Sequence, residues 1–382
     1  MQPFDFHLRT RMVCGSGQLA RLGELALPLG DRVLVVTDPG IIEAGHVGRG
    51  IDSLKATGLT VEVFDGAHEN PTTDDIEHGL KVAKAFEPNL LVGLGGGSSM
   101  DCAKGINFVY SCGGTMHDYH GVGKATGDML PMIAVPTTAG TGSEMQSFAL
   151  ISDAKTHVKM ACGDKRASCR VAILDPELTL TQPVQVTALT GIDAVSHAVE
   201  TYVTKRRNPV SLHYSREAWR LLAGNFKRVL DQPDNLEARA SMQLGAAYAG
   251  VAIENSMLGA SHALANPLTA TYGTAHGQAV GLMLPHVVRF NGEQFNAWYR
   301  ELLFASASLP GLPSPEAGAE GLAEFLKELV AAAGLHVKLD QCGVEAAKME
   351  ALAEAASQQW TGTFNPRSVD RDALLGIYRN AY

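Results

Sequence analysis

The chain has no cationic excess. Its 382 residues hold 31 Lys and Arg against 40 Asp and Glu, a formal charge of −9. A protein that grips nucleic acid needs a basic face to neutralise phosphates, so no nucleic-acid partner is expected. The same deficit speaks against docking on an anionic membrane. Nor is there an uncharged apolar run of about 18 residues, so no membrane span is expected. The six cysteines, Cys14, Cys102, Cys112, Cys162, Cys169 and Cys342, include no C-x-x-C pair. In a chain this long they read as reduced thiols, not as a disulfide frame. The first seven residues, MQPFDFH, lack the basic and apolar regions of a secretory signal, and a cytoplasmic protein is the expectation. Aromatic residues are scarce, at 6%.

Glycine, by contrast, is plentiful, with 40 residues, and 46% of the chain is hydrophobic. That composition suits an ordinary globular protein rich in tight turns and close helix contacts. The length suggests two domains, because single cores stop growing near roughly 250–300 residues. In the first half, short β-branched runs at 32–38, 60–65, 89–94 and 131–137 read as buried strands. Helical patterns at 41–56, 73–86 and 98–109 separate them. This alternation predicts a parallel sheet covered by helices. Residues 148–153 and 157–162 read as a hairpin turning at 153–156, with a further strand at 171–175. After Asp175-Pro176 the strands stop, and 190–205, 211–230, 235–253, 315–333 and 345–358 read as helices. The expected architecture is therefore an α/β nucleotide-binding domain over 1–182 and an all-α metal-binding domain over 183–382.

Two glycine- and hydroxyl-rich segments follow strand ends in the first half. Gly95-Gly96-Gly97-Ser98 joins a strand to a helix, where bare backbone N–H groups and the helix dipole suit a phosphate. The alternative is a capped turn, with Ser98 and Asp101 as a capping box. Thr137, Thr138, Thr141 and Ser143 make a dense hydroxyl surface for phosphate and ribose, or else a helix cap. Asp38 ends the first strong strand. There a carboxylate can accept from ribose hydroxyls and repel a 2′-phosphate, favouring NAD over NADP, or it can cap the helix that Pro39-Gly40 opens.

The second half carries a metal-ligand pattern. Asp193 and His197 stand four apart in a helical stretch, so both side chains share one face. His262 and His276 follow in a second helical block, each flanked by small apolar residues. A lone Asp-x-x-x-His is as readily a polar stripe or a satisfied core histidine. One carboxylate and three neutral imidazoles together can hold a divalent ion and leave a position open for substrate.

These motifs in this order, GGGSSMDCAKG at 95–105, PTTAGTGSE at 136–144, the Asp193/His197 pair and the two later histidine blocks, resemble the iron-containing (group III) alcohol dehydrogenase family. The resemblance extends over nearly the whole chain and implies a dehydroquinate-synthase-like fold. It implies one divalent metal on Asp193, His197, His262 and His276, usually Fe²⁺ and sometimes Zn²⁺. It implies NAD(H) cradled by Gly96, Gly97 and Ser98 beside Asp101, with Thr137, Thr138 and Thr141 along the adenosine and phosphate side. It assigns Asp38 to NAD preference and Lys159 to the nicotinamide-side ribose, with Asn70 and Leu178 as weaker cofactor contacts. A second histidine common in the family, four residues after the third ligand, is Asn266 here. An amide cannot titrate near neutral pH, so Asn266 is expected to hydrogen-bond substrate without relaying a proton.

The function so implied is metal-dependent hydride transfer between a primary or secondary alcohol, or its aldehyde or ketone, and NAD(H), in a homodimer. Two alternatives stand beside it. A dehydroquinate-synthase-like lyase or cyclase would need Lys and Arg to clamp a phosphate and carboxylate, yet 188–201 and 258–285 contain none. A non-catalytic nucleotide-binding relative would need no proton path.

Overall fold

The computed structural model describes residues 3–382. Six strands build one fully parallel sheet. In chain order they are β1 (Arg11–Cys14), β2 (Arg32–Val36), β3 (Thr60–Phe64), β4 (Leu90–Gly95), then Met132–Pro136 and Val171–Leu174. Numbering the strands of the small sheet in sequence makes β5 Gly121–Val122, β6 Met132–Pro136, β7 Phe148–Ser152, β8 Lys159–Gly163 and β9 Val171–Leu174. The large sheet runs β1-β9-β6-β4-β2-β3. Its central strands β4 and β6 are buried at every residue, as expected where helices cover both faces. Alternate residues feed two cores: Leu34 and Val36 join one, Val33 and Val35 the other.

The covering helices are α1 (Leu22–Ala26), α2 (Pro39–Glu43), α3 (His46–Ala56), α4 (Thr73–Phe86) and α5 (Gly97–Cys112). The single helix expected over 41–56 is two, because Gly45 takes a left-handed φ of 80° between α2 and α3. The expected hairpin is present: β7 pairs antiparallel with β8. Its turn is held by Asp153 Oδ1, which accepts from the N–H groups of Lys155 and Thr156. Of the segment 4–14, only β1 is a strand, parallel to β9 at the sheet edge.

The helices that follow are α6 (Val184–Val203), α7 (Pro209–Asp231), α8 (Leu236–Ser256), α9 (Ala260–Tyr272), α10 (His276–Phe304), α11 (Gly318–Ala332), α12 (Met349–Ser357) and α13 (Arg371–Ala381). Two compact units result. One holds His7–Thr138 and Gly142–Gln182; the other holds Pro183–Tyr382 with Ala139–Thr141 and the short stretch ending at Phe6. In the helical unit, α6 is buried at every position from Gly191 to Val203. Apolar residues of α6, α7, α8, α10 and α11 form one core, and those of α9, α10, α12 and α13 a second. Among the described residues no helix is long and apolar enough to cross a membrane.

Candidate functional site

Helix α6 is interior from Gly191 to Val203, so each polar side chain on that stretch must find a partner there. Asp193, His197 and Glu200 fall at i, i+4 and i+7, one stripe of the helix. All three are buried, at 4%, 4% and 3% exposure. His262 comes from the first turn of α9, and His276 is the first residue of α10. Close helix approach brings them in. A Cβ on Gly277 would sit 2.0 Å from the Leu189 carbonyl oxygen, so only glycine lets α10 start this near α6.

The four expected ligands converge. The Nε2 atoms of His197, His262 and His276 lie 3.4, 3.5 and 3.8 Å from Asp193 Oδ1. Nε2 of His197 and Nε2 of His262 are 3.1 Å apart. The donor atoms of Asp193, His262 and His276 fall within 4.8 Å of one another. Oδ1 of Asp193 is buried with no hydrogen-bond partner. A buried carboxylate oxygen without a donor is costly. A cation among the three imidazole nitrogens resolves that cost, so the donor set fits a divalent ion.

The charges agree with this geometry. Burial works to raise the Asp193 carboxyl, but the neighbouring imidazoles outweigh it and hold it well below its usual range. Burial lowers His197. His262 is opposed by burial, yet Glu200 and Asp193 raise it to about 9. Glu200 explains that shift, and the sequence reading overlooked it. Its Oε2 lies 2.5 Å from His262 Nδ1, while its Oε1 accepts from the Ser261 backbone N–H at 2.7 Å. It therefore caps α9, whose own N-cap residue Gly259 has no side chain to do so. It also accepts a hydrogen bond from His262 Nδ1, leaving Nε2 to face the cluster. The signal was available: Glu200 extends the Asp193/His197 stripe by one turn.

Asn266 lies one turn after His262 on α9 and donates from Nδ2 to Gln359 Oε1 at 2.9 Å.

The other unit carries the expected nucleotide residues. The chain leaves β2 toward β3 on one side, then returns to place β4 on the other side of β2. Open α/β sheets bind ligands beyond the strand ends at such a reversal. Asp38 follows β2 there and Gly96 follows β4. Gly95 has φ 153°, and a Cβ on it would strike Ser99 Oγ at 2.4 Å. Asp38 caps α2, accepting from Ile41 N–H on Oδ1, and accepts from Ser99 Oγ on Oδ2, with lone pairs to spare on each oxygen.

The Ser98/Asp101 capping box does not form. Helix α5 starts at Gly97 with Gly96 as N-cap and no side-chain cap. Asp101 is buried and accepts instead from Ser143 Oγ at 2.6 Å and Leu150 N–H at 3.3 Å. Beside it lies Lys104, fully buried, its Nζ 2.7–3.0 Å from four oxygens of Ser143, Gln146 and Phe148. This pair pins the hydroxyl-rich segment to α5. Sequence reasoning passed over Lys104 because nothing marks a lysine as interior.

Thr137 is buried at the end of β6, its N–H bonded to Gly95 C=O and its Oγ1 without a partner. Thr138 follows it, and Thr141 belongs to the segment grouped with the helical unit. Lys159 Nζ donates to Asn70 Oδ1 at 3.3 Å, so those two expected contacts meet. Leu178 is fully buried in the apolar core shared with Val13 and Leu19.

A parallel-sheet unit with a reversal of strand order and a helical unit with a buried carboxylate–imidazole cluster fit the class of metal-dependent, dinucleotide-binding enzymes. Comparison with known proteins narrows the class. The family model described as iron-containing alcohol dehydrogenase matches residues 9–176, and that of the family's C-terminal domain matches 187–382. A 1,3-propanediol dehydrogenase of Citrobacter freundii is 34% identical, with 99% of each chain covered. An NAD-dependent methanol dehydrogenase of Bacillus methanolicus is 33% identical, again with 99% of each covered. A crystal structure of 1,3-propanediol oxidoreductase superposes with a TM-score of 0.95 over 100% of both chains, at 32% identity. The chain belongs to the iron-containing alcohol dehydrogenase family. It is an oxidoreductase of alcohols and their carbonyl counterparts.

Proposed function

We propose that the protein interconverts a small primary or secondary alcohol with its aldehyde or ketone, using NAD(H) and one divalent metal ion held by Asp193, His197, His262 and His276. The buried, unpartnered Oδ1 of Asp193 facing three imidazole Nε2 atoms carries this reading. Fe²⁺ is the ion to which the family name points, and Zn²⁺ suits the same donors. When bound, the ion supplies Lewis-acid polarisation of a substrate oxygen, and the nicotinamide supplies the hydride acceptor.

The protein's own residues do the rest. Asp193 and Glu200 bring two negative charges to the buried cluster, matching a divalent ion. Glu200 fixes the His262 ring. Asn266 orients substrate by hydrogen bonding and holds no titratable proton. In the α/β unit, Gly96, Gly97 and Ser98 present backbone N–H groups at the start of α5 for the pyrophosphate. Thr137, Thr138 and Thr141 line the phosphate and adenosine side, with Asp101 and Lys104 bracing the segment from below. Lys159 and Asn70 serve the ribose nearer the nicotinamide, and Asp38 favours NAD over NADP. The relatives named for methanol and 1,3-propanediol point to short alcohols. A homodimer in the cytoplasm completes the proposal: β1 lies at the sheet edge, the kind of strand that pairs with a second copy.

Metal analysis of the purified protein, joined to NADH and NADPH formation over a panel of simple alcohols, tests the reading. Stoichiometric divalent metal and faster turnover with NAD are expected. His262→Ala should lose both metal and turnover; full activity in that variant rejects the scheme.

A further inference from the structure

Helix α9 opens without a cap of its own. Its N-cap residue is Gly259, and Ala263 N–H donates to the Gly259 carbonyl. The N–H groups of Ala260 and Ser261 come before that bond, so each needs an acceptor from elsewhere. Glu200 takes the second. The first donates to Asn365 Oδ1 at 3.3 Å, across 105 positions of sequence. Glycine makes room for both acceptors: a Cβ on Gly259 would sit 3.0 Å from Glu200 Oε1 and 3.1 Å from Asn365 Oδ1. Asn365 and its partner Asn291 on α10 are both 1% exposed. Asn365 Oδ1 also accepts from Asn291 Nδ2 at 3.1 Å, and its Nδ2 donates to Asn291 Oδ1 at 2.8 Å and to the Arg367 carbonyl at 2.7 Å. That is the full complement of an amide, and the two backbone partners fix which end is oxygen. Arg367 in turn donates to the Phe290 carbonyl of α10 at 2.7 Å. Asn365 is therefore a rigid point built on α10. Just ahead of α9, Met257 is buried with φ 71° and ψ 177°, a region occupied essentially by glycine. The connection from Met257 to Gly259 keeps this strained shape only while the start of α9 is held.

We propose that Asn365 and Glu200 clamp the first turn of α9 between them, which makes Asn365 a positioning residue for the metal site. His262 stands in that turn, so the direction of its Nε2 follows wherever the turn is held. The two attachments come from different elements, Glu200 from α6 and Asn365 from the end of the Trp360–Phe364 turn. Either one alone keeps the turn in place. With neither, the strain at Met257 is relieved by moving it. The metal-free protein then holds His262 in line for only part of the time, and its affinity for an ion falls by that fraction. The role rests on the reading of the Asp193 cluster as a metal site.

A double-mutant cycle in metal affinity tests the clamp. Zn²⁺ and Co²⁺ affinities, from chelator competition, are compared for wild type, Glu200→Ala, Asn365→Ala and the double variant. Asn365→Ala alone should stay within about threefold of wild type, because Glu200 still holds Ser261. The double variant should lose at least about fivefold more than the product of the two single losses. Hydrogen exchange of the metal-free proteins, read over residues 257–262 by mass spectrometry, should be faster in the double variant than in either single one. If the double variant does not fold, Glu200→Gln, which keeps a carbonyl for His262, takes the place of Glu200→Ala in the cycle. Losses that multiply to within about twofold, or exchange no faster in the double variant, overturn the clamp. A wild type that binds neither ion overturns the reading of the cluster itself, and the positioning role with it.

Discussion

Removing the carboxylate of Glu200 should weaken metal binding without touching a metal ligand. In Glu200→Ala two buried donors lose their acceptor, the Ser261 backbone N–H and His262 Nδ1. Hydrogen bonds to a charged acceptor are worth about 1.5–3 kcal/mol each. The Ser261 bond anchors the start of α9 with or without metal, so its loss lowers stability alike in both states. The His262 bond differs, because it holds the ring with Nε2 toward the cluster. Its loss alone enters the metal affinity, about 1.5–3 kcal/mol, or roughly 10–100-fold, the range found when outer partners of ligating histidines are removed. Glu200→Gln keeps one carbonyl for His262 but sets its NH₂ against the Ser261 N–H, so it should fall between wild type and Ala. Chelator competition with Zn²⁺ or Co²⁺ gives the affinities, and urea unfolding of the metal-free proteins gives the stabilities. A folded Glu200→Ala protein that binds metal as tightly as wild type would refute the assigned role.

Three further outcomes follow from the packing. Gly277→Ala drives a methyl into the Leu189 carbonyl, displacing the start of α10 and His276 with it; it should cost about 1–3 kcal/mol in urea unfolding and at least about tenfold in metal affinity, and normal values for both would show the approach is not needed. Lys104→Met takes the buried donor from oxygens of Ser143, Gln146 and Phe148; a loss of about 2 kcal/mol or more in urea unfolding is expected, and under about 1 kcal/mol would mean that these bonds do not hold the segment. Burial raises the Glu144 carboxyl to about 7 from an ordinary 4.5. Between those two values the folded state keeps a proton that the unfolded chain has released. Stability from this group is therefore full below about pH 4.5 and lost as pH climbs to about 7, by up to ~3 kcal/mol. Glu144→Gln should flatten that part of the stability–pH curve, and an unchanged slope would place the titration elsewhere.

Much of the α/β unit was legible because its signals are local. β-branched runs bounded by Gly, Asp or Pro became β2, β3, β4 and β6, and the turn at Asp153 closed the predicted hairpin. Helices α9 and α10 were read only as one helical block without bounds, and α13 was not read. Pro267 and Pro285 lie inside α9 and α10, and proline reads as a breaker unless packing holds the helix together. The capping-box alternative for Asp101 could not be told apart in sequence, because a Ser-x-x-Asp spacing at a helix start looks the same whether the acid turns back to the helix end or, as here, reaches across to Ser143.

The chain alone determined the chemistry on offer. One acid and three imidazoles in small apolar surroundings, a glycine loop after a strand, and no cationic excess are properties of residue type and spacing, and spacing within a helix or strand dictates which side chains share a face. Only tertiary structure decided which groups meet. The distance from Glu200 to His262, the burial of Lys104 and the pairing of Asn266 with Gln359 span 62, 39 and 93 positions of sequence. Contacts at such separations are set by how helices and strands pack, through approaches as close as Gly277 on Leu189, and no local periodicity encodes them.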